Sequence, residues 1–363
     1  MCDVPALRFP EFTDEWKKIR LGDNCSIQMC KRIMAAQTNT EGGVPFYKIG
    51  TIGGKADAYI SKDLFDEYKR KYSYPNKGEV MITCAGTVGK CVIYDGEDSY
   101  YQDSNIVWID NPNEIISNDF LYHLLSNINW SYLNSTTIVR IYNDDLRNLK
   151  LCCPRLDEQK KIARFLSLIN ERIATQNKII EDLRLLSKGI IETVTSSQKP
   201  NTLIKDCLEC NSSILQESQV AKYGAFSVYG ATGITGYTEA ADVNGESILI
   251  IKDGSGVGTV KYVTGEYSYI GTLNRLIAKD GYCLKYIYFA LQRFSFEPYK
   301  TGMAIPHIYF RDYGKAKIYC PSLSLQTLIA QKLSLIENEM EVEKRIILCY
   351  QLQKSYLLSR MFI

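Results

Sequence analysis

The chain repeats itself, and that repeat limits its possible folds more than any composition does. Ile138 to Ile169 reads IVRIYNDDLRNLKLCCPRLDEQKKIARFLSLI, and Ile305 to Ile336 reads IPHIYFRDYGKAKIYCPSLSLQTLIAQKLSLI. The two align without a gap at an offset of 167, with 15 of 32 positions identical. Matches include Ile141/Ile308, Tyr142/Tyr309, Pro154/Pro321, Gln159/Gln326 and Ala163/Ala330. They run through the stretch before Pro154 as well as the helical stretch after it, so a chance likeness of two apolar helices does not explain them. Upstream the likeness is weaker but keeps its order. Phe46-x₃-Gly50-x₂-Gly53 resembles Phe226-x₃-Gly230-x₂-Gly233, and Gly78-Glu79 with Val88-Gly89 resembles Gly245-Glu246 with Val257-Gly258. Each half is expected to be a mixed α/β module followed by a long helix.

After Pro154 the pattern turns from short β-like runs to a 4-3 apolar repeat: Ile162, Leu166, Ile169, Ile173, Ile180, Leu183, Ile190 and Val194, with Gln176 and Ser187 in the remaining slots. Adding 167 gives Ile329, Leu333, Ile336, Met340, Ile347, Tyr350, Leu357 and Met361, with Glu343 and Lys354 in the polar slots. A 3.5-residue period is the seam of a coiled coil and is narrower than the stripe of a helix lying on a globular core. Each helix should run about 40 residues, roughly 60 Å. A whole module separates them, so pairing through equivalent seams implies an antiparallel pair with pseudo-two-fold symmetry. The second helix runs almost to the last residue, so its end is expected to be covered by a partner or by the other half. The fold class read here is α+β: two mixed α/β domains in tandem repeat, residues 1–155 and 199–321, with long helices at 156–198 and 322–363.

The modules hold five stretches that could touch a ligand. Gly78–Thr83, Ala85–Lys90 and Cys91–Tyr94 read as strand, glycine-rich turn and strand, and Ser247–Ile251, Asp253–Thr259 and Val260–Val263 repeat the plan. Neither turn is a nucleotide loop. Cys84 holds the first glycine position of a phosphate loop and Cys91 its Ser/Thr position, while the second turn is one residue short of the dinucleotide fingerprint. Two readings remain: tight hairpins in which glycine supplies positive φ, or loops whose amides and polar side chains (Thr87, Lys90, Ser255, Thr259) approach DNA. Lys69, Arg70, Lys71 and Tyr72 combine cations with stacking surface. Gln102, Ser104 and Asn105 supply amides that can read adenine, and Thr272, Asn274 and Arg275 stand in the corresponding stretch, where arginine can read guanine. Each of these clusters also fits a solvated turn. Asn105 and Asn274 are read as matching positions.

Composition excludes more than it assigns. The net charge is +2, and residues 1–150 hold 17 Lys+Arg against 20 Asp+Glu, so any DNA footprint is a local patch. No apolar run is long enough for a membrane helix, and the N-terminus lacks a signal-peptide pattern, so the chain is expected in the cytoplasm with no membrane contact. Twelve cysteines include one CxxC pair, Cys207-x-x-Cys210, and the two histidines, His123 and His307, lie far apart. That spacing suits neither zinc nor a disulfide framework, so reduced, mostly buried thiols and no metal are expected. The single Asn-Pro dipeptide, Asn111-Pro112, does not fit an amino-methyltransferase motif, and no nuclease, helicase or Ser/His/Asp pattern is present. A non-catalytic chain is expected.

Leu7-Arg8-Phe9-Pro10-Glu11-Phe12-x₃-Trp16 followed by Leu21-Gly22-Asp23, together with Ile305-Pro306-His307-Ile308-Tyr309 and Pro154-x-Leu156-x₂-Gln159-x₂-Ile162-Ala163, resembles the specificity subunits of type I restriction–modification systems. The resemblance covers nearly the whole chain. It implies two target-recognition domains, each reading half of a bipartite double-stranded DNA site. It also implies a helical spacer that sets the gap and holds two methyltransferase subunits, with endonuclease/translocase subunits completing the assembly. This chain would bind no cofactor. S-adenosylmethionine would sit on the methyltransferase, and ATP and Mg on the endonuclease. Two departures between the halves stand out: Val139-Arg140 against Pro306-His307, and Asp157-Glu158 against Ser324-Leu325. A two-domain coiled-coil scaffold for protein partners and a solitary DNA-binding regulator are the alternative readings.

Overall fold

The computed structural model describes residues 5–133, 140–196, 198–254, 256–302 and 304–362. They form two compact units, Met1–Thr175 with Ile347–Ile363, and Gln176–Ile346.

Unit 1 carries β1 (Lys17–Arg20), α1 (Leu21–Asn24), β2 (Ser26–Gln28), β3 (Val44–Tyr47), β4 (Tyr59–Ile60), α2 (Lys62–Lys71), β5 (Val80–Thr83), β6 (Cys91–Ile93), β7 (Tyr100–Tyr101), β8 (Ile106–Asp110), α3 (Asn118–Asn127), α4 (Asn143–Arg147) and β9 (Lys150–Cys153), and the start of α5 (Leu156–Ser196). Its main sheet is antiparallel in the order β2-β8-β5-β6. A smaller sheet, β4-β3-β7, contains one parallel pair, and β1 pairs with β9.

Unit 2 repeats this plan. After α5 come β10 (Thr202–Leu203), α6 (Ile204–Cys207), β11 (Leu208–Ser212), β12 (Phe226–Gly230), β13 (Gly233–Thr238), β14 (Val243–Asn244), β15 (Ser247–Ile251), β16 (Val260–Val263), β17 (Glu266–Tyr269), β18 (Leu273–Ala278), α7 (Leu284–Arg293), α8 (Phe310–Tyr313), β19 (Lys317–Ile318) and α9 (Leu323–Met361). Its main sheet has the order β11-β18-β15-β16, its second β13-β12-β17-β14 with β12 and β17 parallel, and β10 pairs with β19. The weak upstream similarity therefore marks a true structural repeat. The strand β4 corresponds to β13, and the one clear addition among the described residues of unit 1 is α2, which lies between β4 and β5, where unit 2 has only the short strand β14.

Both long helices appear at the expected lengths, 41 and 39 residues. Every seam position is buried or half-buried: Ile162, Leu166, Ile169, Ile173, Gln176, Ile180, Leu183, Ser187, Ile190 and Val194 on α5, and Ile329, Leu333, Ile336, Met340, Glu343, Ile347, Tyr350, Lys354, Leu357 and Met361 on α9. In unit 1 the start of α5 (Ile162, Leu166, Ile169) shares a core with the end of α9 (Leu357, Met361). In unit 2 the end of α5 (Ile191) shares one with the start of α9 (Ile329, Leu333). In both units the two helices run antiparallel. The end of α9 is covered within unit 1, where Met361 is buried and Phe362 lies 5.3 Å from Phe120.

A buried glutamine fastens each long helix to its module. Gln159 is fully buried; its Oε1 accepts the N–H of Ser117, the N-cap of α3, at 2.8 Å, and its Nε2 donates to the Ile115 and Pro154 carbonyls. Gln326 repeats the arrangement with Cys283, the N-cap of α7, and the Pro321 carbonyl. The Glu158/Leu325 difference also has a cause. Glu158 receives Arg8 in a two-pronged ion pair, 2.6 and 2.7 Å, with the glutamate side chain 2% exposed. Arg8 comes from an N-terminal segment that also bonds Leu7 N–H to the Arg360 carbonyl. No segment among the described residues does this for Leu325, which is exposed.

Ten described cysteines are free thiols, six of them buried. Cys152 departs from the expected reduced state and is disulfide-bonded. No described helix is long and apolar enough to cross a membrane.

Two predictions follow from these packing arrangements. Gln159→Leu fits the space but orphans a buried N–H and two carbonyls, so it should lower stability by about 2–4 kcal/mol, with Gln326→Leu acting likewise in unit 2. Urea unfolding of each variant checks both. His123 is buried on α3 with Nε2 3.2 Å from Ser167 Oγ, and burial, with Lys354 nearby, lowers its pKa to about 4. An unfolded histidine titrates near 6.5, so between pH 6.5 and 4 the unfolded chain binds the extra proton. Stability is full above that window and falls by about 3 kcal/mol on crossing it downward. His123→Gln should flatten that acid limb, measured as urea midpoint against pH.

Candidate DNA interface

The glycine-rich hairpins occupy equivalent places in the two units. Between β5 and β6, Thr83 Oγ1 accepts the Lys90 N–H at 3.0 Å and donates to the Thr87 carbonyl, while the Gly89 N–H bonds the Thr83 carbonyl. Between β15 and β16, the Gly258 N–H bonds the Ile251 carbonyl. Gly89 (φ +83°) backs onto the indole of Trp130, where a Cβ would come within 2.2 Å of Cδ1. Gly258 (φ +90°) backs onto Phe296, where it would come within 2.9 Å. Each hairpin thus lies on an aromatic wall beside an open cleft, of about 720 Å³ in unit 1 and about 400 Å³ in unit 2. Both readings of these loops keep their ground: the glycines do supply positive φ, and Thr87, Lys90 and Thr259 remain exposed at the tips. Lys90 Nζ reaches the Ile52 carbonyl. Ser255 lies outside the described residues.

Three segments meet at the end of each hairpin. In unit 1 the Cys84 N–H bonds the Asn105 carbonyl, and the Ile141 N–H bonds the Cys84 carbonyl. In unit 2 the Lys252 N–H bonds the Thr272 carbonyl, and the Ile308 N–H bonds the Lys252 carbonyl. This pattern corrects one expectation: the counterpart of Asn105 is Thr272 and not Asn274. Asn274 lies within β18, is 5% exposed, and accepts from Ser212 Oγ at 2.7 Å, so its amide is committed inside the fold. Asn105, by contrast, stands half-buried on the turn after β7, next to Ser104 (φ +51°). The Gln102 Oε1 accepts the Ile49 N–H at 3.4 Å. Arg275 turns inward: its Nε is buried, and its guanidinium lowers the pKa of Tyr267 and Tyr269 against the stronger upward push of their burial.

The basic cluster stands apart from this junction, on the last turn of α2. Lys69 pairs with Asp98 at 3.1 Å and Lys71 with Glu67 at 2.6 Å, leaving Arg70 without an ion pair among the described residues. Tyr72, the C-cap, sits edge-on to Tyr68. Of the seam residues, Ile162, Leu166, Ile169 and Ile173 share the unit 1 core with Tyr350, Leu357 and Met361, and Ile190 and Val194 share that of unit 2 with Ile329 and Leu333. Sequence reading missed Arg140, whose Nη2 donates to the Ser104 carbonyl at 3.3 Å, and His307, which bridges to Asp253. Both were visible only as a departure between the repeats.

Gly89→Ala should cost roughly 2–5 kcal/mol, combining positive-φ strain with overpacking against Trp130. Gly254→Ala, with positive φ but open space around it, should show only the strain, about 1–2 kcal/mol. Urea unfolding of the two variants separates the contributions.

A family model described as the type I restriction modification DNA specificity domain matches residues 13–185 and again 203–348. A putative type I restriction enzyme specificity subunit of Haemophilus influenzae is 50% identical over 173 residues, 47% of this chain and 44% of that protein. A type I restriction enzyme specificity subunit of Methanocaldococcus jannaschii is 28% identical over 196 residues, 52% of this chain and 43% of that one. The matched segments span less than half the length of these relatives. The fold is that of a type I restriction–modification S subunit from M. genitalium, with TM-score 0.70 at 17% identity and 99% of both chains covered. A structure described as underlying complex assembly and conformational transition of a type I system matches with TM-score 0.54 at 15% identity, covering 97% of this chain and 98% of that one.

Proposed function

Since this chain belongs to the type I restriction–modification DNA specificity family, we propose that each of its units reads one half of a bipartite site in double-stranded DNA. The observation that carries this reading is the duplication of the whole module down to the hydrogen bonds at the hairpin junction, with different side chains displayed there. One scaffold with two sets of loop residues suits two different half-sites.

The helices α5 and α9 hold two methyltransferase subunits and set the gap between half-sites, and the endonuclease/translocase joins that assembly. The chain itself is non-catalytic. It binds no cofactor; S-adenosylmethionine belongs to the methyltransferase, and ATP and Mg to the endonuclease. The assembly works in the cytoplasm. Binding draws on local cations such as Arg70, Lys69 and Lys90, because the chain's net charge is only +2. Phosphate contacts of this kind make affinity fall with salt. Thr87, Gln102, Ser104 and Asn105 in unit 1 and Thr259 in unit 2 are the side chains assigned to meet bases or phosphates, whereas the Thr272 hydroxyl is buried.

Co-expression with a methyltransferase encoded beside this chain, followed by methylome sequencing, should reveal one bipartite methylated motif. Exchange of residues 199–320 for the matching module of a relative should then change one half of the motif and leave the other intact. A motif altered in both halves would refute separate reading, and a chromosome left unmethylated would favour the protein-scaffold reading.

A further inference from the structure

Tyr142 and Tyr309 are identical across the repeat, and both are exposed, 59% and 44%. Each is the N-cap of a short helix, α4 or α8, and neither side chain makes a capping hydrogen bond. Serine, threonine, aspartate or asparagine is the stabilising choice at that position, so capping does not account for a tyrosine at both. Each ring instead carries a guanidinium: Arg140 Cζ lies 5.7 Å from the Tyr142 centroid, and Arg311 Cζ lies 4.8 Å from that of Tyr309. The two arginines are not repeat counterparts. Arg140 aligns with His307, and Arg311 aligns with Asp144. One comes from two residues before the tyrosine and the other from two residues after. The same surface pair is thus built twice from different sequence positions, which local packing alone does not require. In unit 2 the His307 ring also packs edge-on to Tyr309 at 5.1 Å.

Both pairs stand at the three-segment junction. Ile141 and Ile308, the residues just before the tyrosines, hydrogen-bond the ends of the hairpin strands, and Arg140 touches the turn holding Ser104 and Asn105. In unit 1 the nearby acids have other partners: Asp145 takes the Tyr142 N–H at 2.7 Å and Asp144 pairs with Arg147. In unit 2 Asp312 makes a long, exposed ion pair with Arg311 Nε at 3.7 Å, which a phosphate would compete with.

We infer that the Arg140–Tyr142 and Arg311–Tyr309 pairs are phosphate clamps, one per unit, that seat the DNA backbone beside the residues reading the bases. A guanidinium laid on an aromatic face is preorganised to donate to a phosphate, while the ring edge meets the adjacent deoxyribose. Contacts of this kind fix register without reading sequence. The inference rests on the proposed DNA reading.

The test uses the complex reconstituted with the methyltransferase subunits. Affinity is measured against salt on two short duplexes, one carrying the motif methylated by the wild-type complex and one of mixed sequence. Arg140→Gln and Arg311→Gln should each weaken binding to both duplexes several-fold and reduce the log–log salt slope by about one. Tyr142→Phe should bind as wild type, because the ring does the seating. Tyr142→Ala combined with Arg140→Gln should add little to Arg140→Gln alone. A structural role would lower the unfolding midpoint and leave the salt slope unchanged. Wild-type slopes in both arginine variants, with the parent complex binding its motif, would overturn the clamps and leave the proposed reading standing. A parent complex without motif preference would remove the reading and the clamps together.

Discussion

A single buried amide at the head of each long helix sets the geometry of its module. Gln159 and Gln326 occupy the first turns of α5 and α9, where helix N–H groups need partners outside the helix. They use their own amides to hold the N-cap residues of α3 and α7. That fixes the module's second-layer helix against the long helix through donors and acceptors that water cannot reach. The main sheet packs on α3 or α7, and the hairpin rests on the aromatic residue just beyond that helix, Trp130 or Phe296. The chain of dependence therefore runs from one glutamine, through a short helix, to the loop that would face DNA. A side chain that could not donate and accept at once would loosen every step.

The two units also show what a duplication is free to change. The sheets, hairpins and glutamines recur because each is tied to something buried. The added helix α2, the Arg8–Glu158 pair and the side chains around the junctions differ. The Arg8–Glu158 pair arose where a segment was present to supply the arginine. No such segment among the described residues covers position 325, so that position stays exposed and has no buried arginine to bind. The sequence difference at 158/325 is thus a consequence of the fold around it, although in the sequence it reads as simple drift.

Much of this was legible beforehand where periodicity carried the signal. The seam positions appeared residue by residue, polar slots included, because a 3.5-residue repeat leaves no freedom in phase over ten positions. The hairpins were legible through their glycines. Side-chain direction within the junction was not. Asn274 looked equivalent to Asn105 when only the order of residues could be compared, and two strand positions of drift were enough to mislead, since they turn a loop residue into a sheet residue. Arg275 looked like a reader of guanine, but the strand places its Nε in the interior. Tyr142 and Tyr309 are legible as matching positions, but sequence identity does not distinguish an exposed ring from a buried one.

Unit 1 is discontinuous: Leu357 and Met361 complete the core begun by Trp16, Leu21 and Ile162. The unit made first on the ribosome therefore closes last. Residues 176–346 can bury their own core while the earlier module still exposes the groove that residues 347–363 will fill. Domains usually fold in order from the N-terminus as they emerge. Here the order is reversed, and the interval is the time needed to synthesise the whole second unit. Throughout it Phe120 lacks the Phe362 ring against it, and the core around Trp16, Leu21 and Ile162 lacks Leu357 and Met361.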